Sequence, residues 1–506
     1  MSQVCPHCQK PVDAAAPAGA PCSRCGYVAT AQPVGANAVD SIFAQLSGGV
    51  SGERERPSNQ SKPAAPAPPT PAAELNRRGV QLVNQGGYEQ AIAAFDEALR
   101  LNPALVKALN NRGYAHAARQ DHDRAIADFD AALKLDPQFA EAHNNRGLAY
   151  MAQQRLDLAI ADFEAAVRLD PRLTLAFLNR GFASAAQGQF EAALADLTHC
   201  LERDPTLVNA LHNRGFVWTA LGEYDRALAD YSAEIQLRPE RPWGYYNRGF
   251  VRILQGDADA ALADLTAALR HQPNLADAHF LIGDLHRGRG DVRQAADAYS
   301  QSLALQPQFS LAYYHRAECW QQLRAWEPAI ADYSRLLDLE PQHGAAFCGR
   351  GLCHAARGDH AAALADFDQA LRIDPRSSIA LGGRSQSFAA TRQLDRALAD
   401  QIEALRLAPQ LWEAYLNFAR FWLTVDDATV RDPAMAVELA TRACEITDGR
   451  EWSCLELLAR ALAETGRWDE AQHHLARACE LAPADRRTEL TRQRAAFSRH
   501  ECDRDS

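Results

Sequence analysis

The chain has 506 residues, 47% hydrophobic and 23% charged, with a formal net charge of −11. No run of twenty apolar residues and no basic-then-apolar leader occurs, so a soluble cytoplasmic protein is expected, with no membrane partner. The acidic balance argues against nucleic acid as the main partner, and 12 cysteines in a chain this long do not describe a disulfide scaffold.

The first element is residues 1–27. Cys5-Pro6-His7-Cys8 and Cys22-Ser23-Arg24-Cys25 form two Cys-x-x-Cys pairs separated by thirteen residues. Four thiolates at tetrahedral reach suit Zn²⁺, and a Cys₄ set with no open position is structural. Gly26 allows the tight turn that points amides at sulfur. The segment resembles a short zinc ribbon, with Cys5, Cys8, Cys22 and Cys25 as metal ligands. So short a stretch, poor in apolar side chains, needs the metal to hold a fold. A redox pair would require a βαβ context that is absent here; degeneration of the metal site stays open. With Lys10 and Arg24 set against Asp13, support for a nucleic-acid role is weak.

Residues 28–71 are rich in Ala, Pro, Gly and Ser, and read as a disordered, extended linker. One island interrupts it. Val39, Ile42, Phe43 and Leu46 fall at i, i+3, i+4 and i+7, a one-sided apolar stripe on a short helix. A chance cluster and a docking motif are both open readings, the docking partner being another protein or the chain's own groove.

From residue 72 a new order begins. Pro103, Pro137, Pro171, Pro205, Pro239, Pro273, Pro307, Pro341, Pro375 and Pro409 stand 34 residues apart. A fixed period of this length means one supersecondary unit copied along the chain. With each proline at slot 32, slot 8 is almost always Gly, as in Gly79, Gly113 and Gly147, and slot 20 is always Ala, from Ala91 to Ala397. Slot 24 is large, as in Phe95, Phe129 and Tyr231. Two amphipathic helices fold back on each other, and the small residues let their axes approach. The proline breaks the second helix and starts the next unit.

These slots resemble the tetratricopeptide repeat (TPR) family. The resemblance implies an all-α fold: a right-handed superhelical TPR solenoid of about 12 helix-turn-helix repeats. Ten regular units occupy 72–411 and two divergent ones 412–483, after an expansion around Thr424–Asp432. Residues 484–506 are expected to form a C-terminal cap helix and tail.

The resemblance also implies that the first helix of each unit lines a groove. Slot 6 reads Asn111, Asn145, Asn179, Asn213 and Asn247. An asparagine amide pairs with a peptide backbone in both senses, and this row is similar to the asparagine ladder in the TPR superhelix of O-GlcNAc transferases. Tyr114, Phe182, Phe216, Phe250, Tyr246 and Trp243 add aromatic surface beside it. Copying of Asn-Arg-Gly by duplication is the other open reading. Further along, Asp277, Asp284, Arg287, Glu318 and Gln321 change the character of the lining.

Slots 7 and 23 vary together, with Arg78 and Ala94 as the exception. Arg112, Arg146, Arg180, Arg214, Arg248, Arg316, Arg350 and Arg384 each meet an Asp sixteen residues on, whereas Ile282 meets Ala298. An ion pair within each unit is predicted. No phosphate loop, His-Glu-x-x-His or Gly-x-Ser-x-Gly occurs, so no enzyme is expected. The main reading is a non-enzymatic protein–protein interaction scaffold that holds an extended peptide or a partner's helix, with a tethered zinc module. The alternative is a regulatory adaptor whose ribbon contacts nucleic acid or transcription machinery.

Overall fold

The 34-residue period becomes a pair of antiparallel helices in every unit. The computed structural model describes residues 70–425 and 431–499. Cys5, Cys8, Cys22 and Cys25, the linker with its Val39–Leu46 stripe, and residues 500–506 lie outside the described residues. Two compact units divide the described helices.

In the first unit, which runs to Pro273, the helices are α1 (Pro71–Asn84), α2 (Tyr88–Leu101), α3 (Val106–Ala118), α4 (His122–Leu135), α5 (Ala140–Ala152), α6 (Leu156–Leu169), α7 (Thr174–Ala186), α8 (Phe190–Arg203), α9 (Val208–Ala220), α10 (Tyr224–Leu237), α11 (Pro242–Gln255) and α12 (Ala258–His271). The second unit, from Asn274, holds α13 (Ala276–Arg289), α14 (Val292–Leu305), α15 (Ser310–Gln322), α16 (Trp326–Leu339), α17 (Gly344–Ala356), α18 (His360–Ile373), α19 (Ser378–Ala390), α20 (Leu394–Leu407), α21 (Trp412–Thr424), α22 (Pro433–Ile446), α23 (Trp452–Glu464), α24 (Trp468–Leu481) and α25 (Ala484–Phe497). The described residues contain helices and no strands.

The periodic residues have separable jobs. In the ten regular units the second helix stops one residue before the residue that precedes proline, and that residue is extended, as at Asn102 (φ −141°, ψ 93°) and Asp136 (φ −135°, ψ 91°). Proline's ring excludes the helical conformation from its predecessor. Between the paired helices, slot 15 takes a left-handed backbone in all ten regular units. Gly86, Gly188, Gly222, Gly256, Gly290 and Gly358 do so without cost, and Gln120, Gln154, Arg324 and Arg392 do so against their Cβ atoms.

Slot 8 is glycine because slot 24 leaves no room for more. A Cβ on Gly147 would stand 2.7 Å from the ring of Phe163, and one on Gly215 would stand 2.9 Å from Tyr231. Slot 6 can be crowded too: a Cβ on Gly349, in the first helix of the unit after Ala317, would collide with the Tyr333 ring. The same slot is glycine at Gly383, where a Cβ would collide with the Phe367 ring. At the end of the second unit, α25 packs on α24 through Leu490 and Phe497, both buried.

The predicted ion pair forms in all eight units that carry it. Arg146 donates from Nε and Nη2 to the two carboxylate oxygens of Asp162, each at 2.7 Å. The same fork closes from Arg112 to Asp128, Arg180 to Asp196, Arg214 to Asp230, Arg248 to Asp264, Arg316 to Asp332, Arg350 to Asp366 and Arg384 to Asp400. The remaining guanidinium nitrogen often reaches the second helix of the preceding repeat. Arg146 Nη1 meets Asp130 Oδ1 at 2.6 Å, Arg384 meets Asp368 at 2.7 Å, and Arg316 donates to Ser300 Oγ at 2.9 Å. One arginine therefore fixes its own helix pair and its junction with the repeat before.

Candidate functional site

In the first unit, α1, α3, α5, α7, α9 and α11 touch in succession and form one inner row. The slot-6 asparagines sit on this row but not all on its surface. Asn111, Asn145 and Asn179 are buried, as are Asn110 and Asn144 beside two of them.

These amides bond to one another. Asn179 Nδ2 donates to Asn144 Oδ1 at 2.9 Å, and Asn144 Nδ2 to Asn145 Oδ1 at 3.3 Å. Asn145 Nδ2 donates to Asn110 Oδ1 at 3.0 Å, Asn110 Nδ2 to Asn111 Oδ1 at 3.4 Å, and Asn111 Nδ2 to Asn76 Oδ1 at 3.1 Å. Every amide along this relay faces a neighbour of the opposite sense, which satisfies groups that would be costly to bury alone. The relay ties α1, α3, α5 and α7 together. Its partners at slot 5, Asn76, Asn110 and Asn144, were not singled out from the sequence. The Asn110-Asn111 and Asn144-Asn145 doublets were the signal: slot 6 of one repeat meets slot 5 of the repeat before, 35 residues away.

The relay stops where slot 5 changes. Leu178 occupies it in the fourth repeat, and Asn213, half-buried on α9, has no side-chain hydrogen bond among the described residues. In the fifth repeat His212 takes slot 5. The Asn247 amide lies 3.4 Å from its Nε2, and its Nδ1 lies 3.0 Å from Oε2 of the fully buried Glu234. With the amide donating to Nε2, Nδ1 carries the proton and donates to the carboxylate.

The aromatic residues divide as well. Tyr114 and Phe250 are buried; desolvation pushes the Tyr114 hydroxyl up to about 12. Phe182, Phe216 and Tyr246 are half-buried, and Trp243 is 37% exposed with its ring edge against Tyr246 at 5.9 Å. The structure thus brings Phe182, Asn213, Phe216, Trp243, Tyr246 and Asn247 onto α7, α9 and α11, with an uncharged, largely aromatic surface. It places Asn111, Asn145, Asn179, Tyr114 and Phe250 in the packing beneath or beside it.

The second unit has a different inner lining. Tyr299 Oη donates to Asp284 Oδ1 at 2.6 Å, and burial followed by that carboxylate raises its pKa. Arg287 lies 3.8 Å from Asp284 and 3.6 Å from Glu318, whose carboxylate is also 3.1 Å from His315 Nδ1. Tyr333 Oη donates to Gln321 Oε1 at 3.1 Å. This is a cross-braced polar cluster between repeats. Among the described residues no group of His, Cys, Asp and Glu has the arrangement to hold a metal ion.

Paired antiparallel helices in 34-residue units, with a first-helix inner row, define a helical repeat protein. A tetratricopeptide repeat family model matches residues 76–138, 117–173, 253–308, 280–339, 321–378 and 350–411, and a second matches residues 175–207. The chain belongs to the tetratricopeptide repeat family. No curated protein matches it in sequence. Among solved structures it is similar to YrrB, described as a TPR protein with an unusual peptide-binding site (25% identity, 37% of this chain, 95% of that one, TM-score 0.33). It is also similar to yeast Tom70 (15% identity, 84% of this chain, 95% of that one, TM-score 0.40) and to the anaphase-promoting complex assembly Cut9–Hcn1 (13%, 84%, 96%, TM-score 0.43).

Proposed function

We propose that this TPR chain is a non-enzymatic interaction scaffold whose first unit holds an extended peptide or a partner's helix across repeats four to six. The observation that carries this reading is the aromatic surface of Phe182, Phe216, Trp243 and Tyr246 around an asparagine that no neighbour engages, Asn213. Amphiphilic aromatic surface with an available amide is the composition that fixes a peptide by packing while pairing its backbone. The five slot-6 asparagines enter unequally. Asn213 and Asn247 face the ligand, and Asn111, Asn145 and Asn179 act by holding the helices that shape the surface. Affinity purification with the full chain, followed by mass spectrometry, compares wild type with Phe182→Ser/Tyr246→Ser. Partners retained by wild type and lost from the variant support the site; unchanged recovery rejects it.

In the same proposal Cys5, Cys8, Cys22 and Cys25 hold a structural Zn²⁺ and make residues 1–27 a second, tethered contact. Their two-by-two spacing supports it, and a linker between two weak sites raises avidity without new contacts. No described helix is long and apolar enough to cross a membrane, and the described cysteines are free thiols, in keeping with a reducing cytoplasm.

A further inference from the structure

We infer that the inner surface of repeats four to six is occupied in cis by the chain's own segment Val39–Leu46, which a partner must displace. The inference rests on the groove reading above and names its resident occupant.

Chemical match is the first argument. Val39, Ile42, Phe43 and Leu46 share one face at helical spacing, and Asp40 is the only charged residue between Tyr27 and Gly52. The surface on α7, α9 and α11 is likewise uncharged and aromatic, with Phe182, Phe216 and Tyr246 half-buried and Trp243 37% exposed. A neutral apolar stripe suits this surface and not the Asp284, Arg287 and Glu318 cluster of the second unit, where apolar side chains would desolvate charges. Helix-in-groove recognition uses this i, i+3, i+4, i+7 arrangement of anchors.

Reach is the second argument. Residues 47–69 join the stripe to the start of α1. A coil of that length would have a root-mean-square span of about 26 Å, and the limit of full extension is roughly 75 Å. Helices pack about 10 Å apart, so the inner helices of repeats four to six stand about 30–50 Å from α1 along the row. The tether spans this distance without full extension. It also confines the segment to an effective concentration on the order of 1 mM. A free peptide binding at about 100 µM would then be weakened about tenfold by the tethered copy.

The test uses the full chain with p-benzoylphenylalanine in place of Phe43, irradiated and mapped by mass spectrometry. Cross-links within one chain to α7, α9 or α11, lost on Phe182→Ser, are expected. Cross-links elsewhere, none at all, or links found only between two chains overturn the cis occupant. A labelled peptide of residues 36–50 provides the second measurement. It is expected to bind the Phe43→Asp chain about tenfold tighter than wild type; equal affinity overturns the inference. If Phe182→Ser loses partners while Phe43→Asp leaves every affinity unchanged, the groove reading stands and only the cis occupant falls. If Phe182→Ser changes nothing, both fall.

Discussion

Replacing Asn145 and Asn213 separately by alanine distinguishes a packing relay from a ligand ladder. Asn145 is buried, donates to Asn110 Oδ1 at 3.0 Å and accepts from Asn144 Nδ2 at 3.3 Å. Alanine removes a hydrogen bond from each of two buried amides, each loss costing about 1–3 kcal/mol. Allowing for partial relaxation, Asn145→Ala should lose about 2–4 kcal/mol. In a repeat protein that loss is local, so it belongs in the hydrogen-exchange protection of α3, α5 and α7 and less in α11. Asn213 has no side-chain partner to strand, so Asn213→Ala should stay within about 0.5 kcal/mol while weakening partner capture. Native-state hydrogen exchange with mass spectrometry reads the first quantity and affinity purification the second. A loss below about 1 kcal/mol for Asn145→Ala, or normal protection with abolished capture, would refute the division drawn here.

Other expectations follow from the same packing. Asp162 sits in burial that alone would raise its pKa, but hydrogen bonds from Arg146 and His143 outweigh it and hold the carboxyl below its ordinary value of 3.8. Its contribution is thus full above the unfolded value near 3.9 and is lost as pH falls through the lower folded value; Asp162→Ala should cost about 3 kcal/mol at neutral pH, and an acid titration of α5–α6 exchange should flatten in that variant. Gly147→Ala should cost about 1–3 kcal/mol through its clash with Phe163, and Phe163→Leu should recover part of it in a urea melt, since Gly181 already faces Leu197. Gln154→Gly should stabilise the α5–α6 turn by about 1 kcal/mol by relieving a φ of 61°; a neutral or destabilising result contradicts it. Burial pushes the Cys200 and Cys353 thiols up to about 12, so both should resist iodoacetamide at pH 8 in the folded chain and label in urea. Native mass spectrometry should find one zinc per chain, absent from Cys8→Ser.

The helix pairs were legible because their determinants are local. Proline at slot 32, glycine at slot 8 against a large slot 24, and arginine at slot 7 against aspartate at slot 23 all act inside one unit. Comparing units within the chain therefore exposes them. The depth of the asparagines was not legible from slot 6 by itself. Whether such an amide is buried depends on slot 5 of the preceding repeat: Asn110 captures Asn145, and Leu178 leaves Asn213 without a captor. The third bond that most of these arginines make was hidden for the same reason, because partners such as Asp130 and Ser300 belong to the unit before. Asp130 and Ser300 lie sixteen residues before Arg146 and Arg316, as Asp162 and Asp332 lie sixteen after, so spacing alone does not say which side the guanidinium faces.

This dependence on the preceding unit bears on function. A relay of amides that runs unbroken from α1 to α7 keeps those four helices in one register, and every donor it uses is withdrawn from solvent. On the proposed reading, binding capacity would increase where the relay is interrupted, not where asparagines are most numerous. Leu178 interrupts it in the fourth repeat, His212 substitutes for its amide in the fifth, and Phe182, Phe216, Trp243 and Tyr246 stand on the fourth to sixth repeats. Restoring the pattern should test the connection. Leu178→Asn supplies Asn213 with the partner that Asn144 gives Asn179; it should protect α9 from exchange and reduce partner capture together. Gain of protection with capture unchanged would separate the interruption from the site.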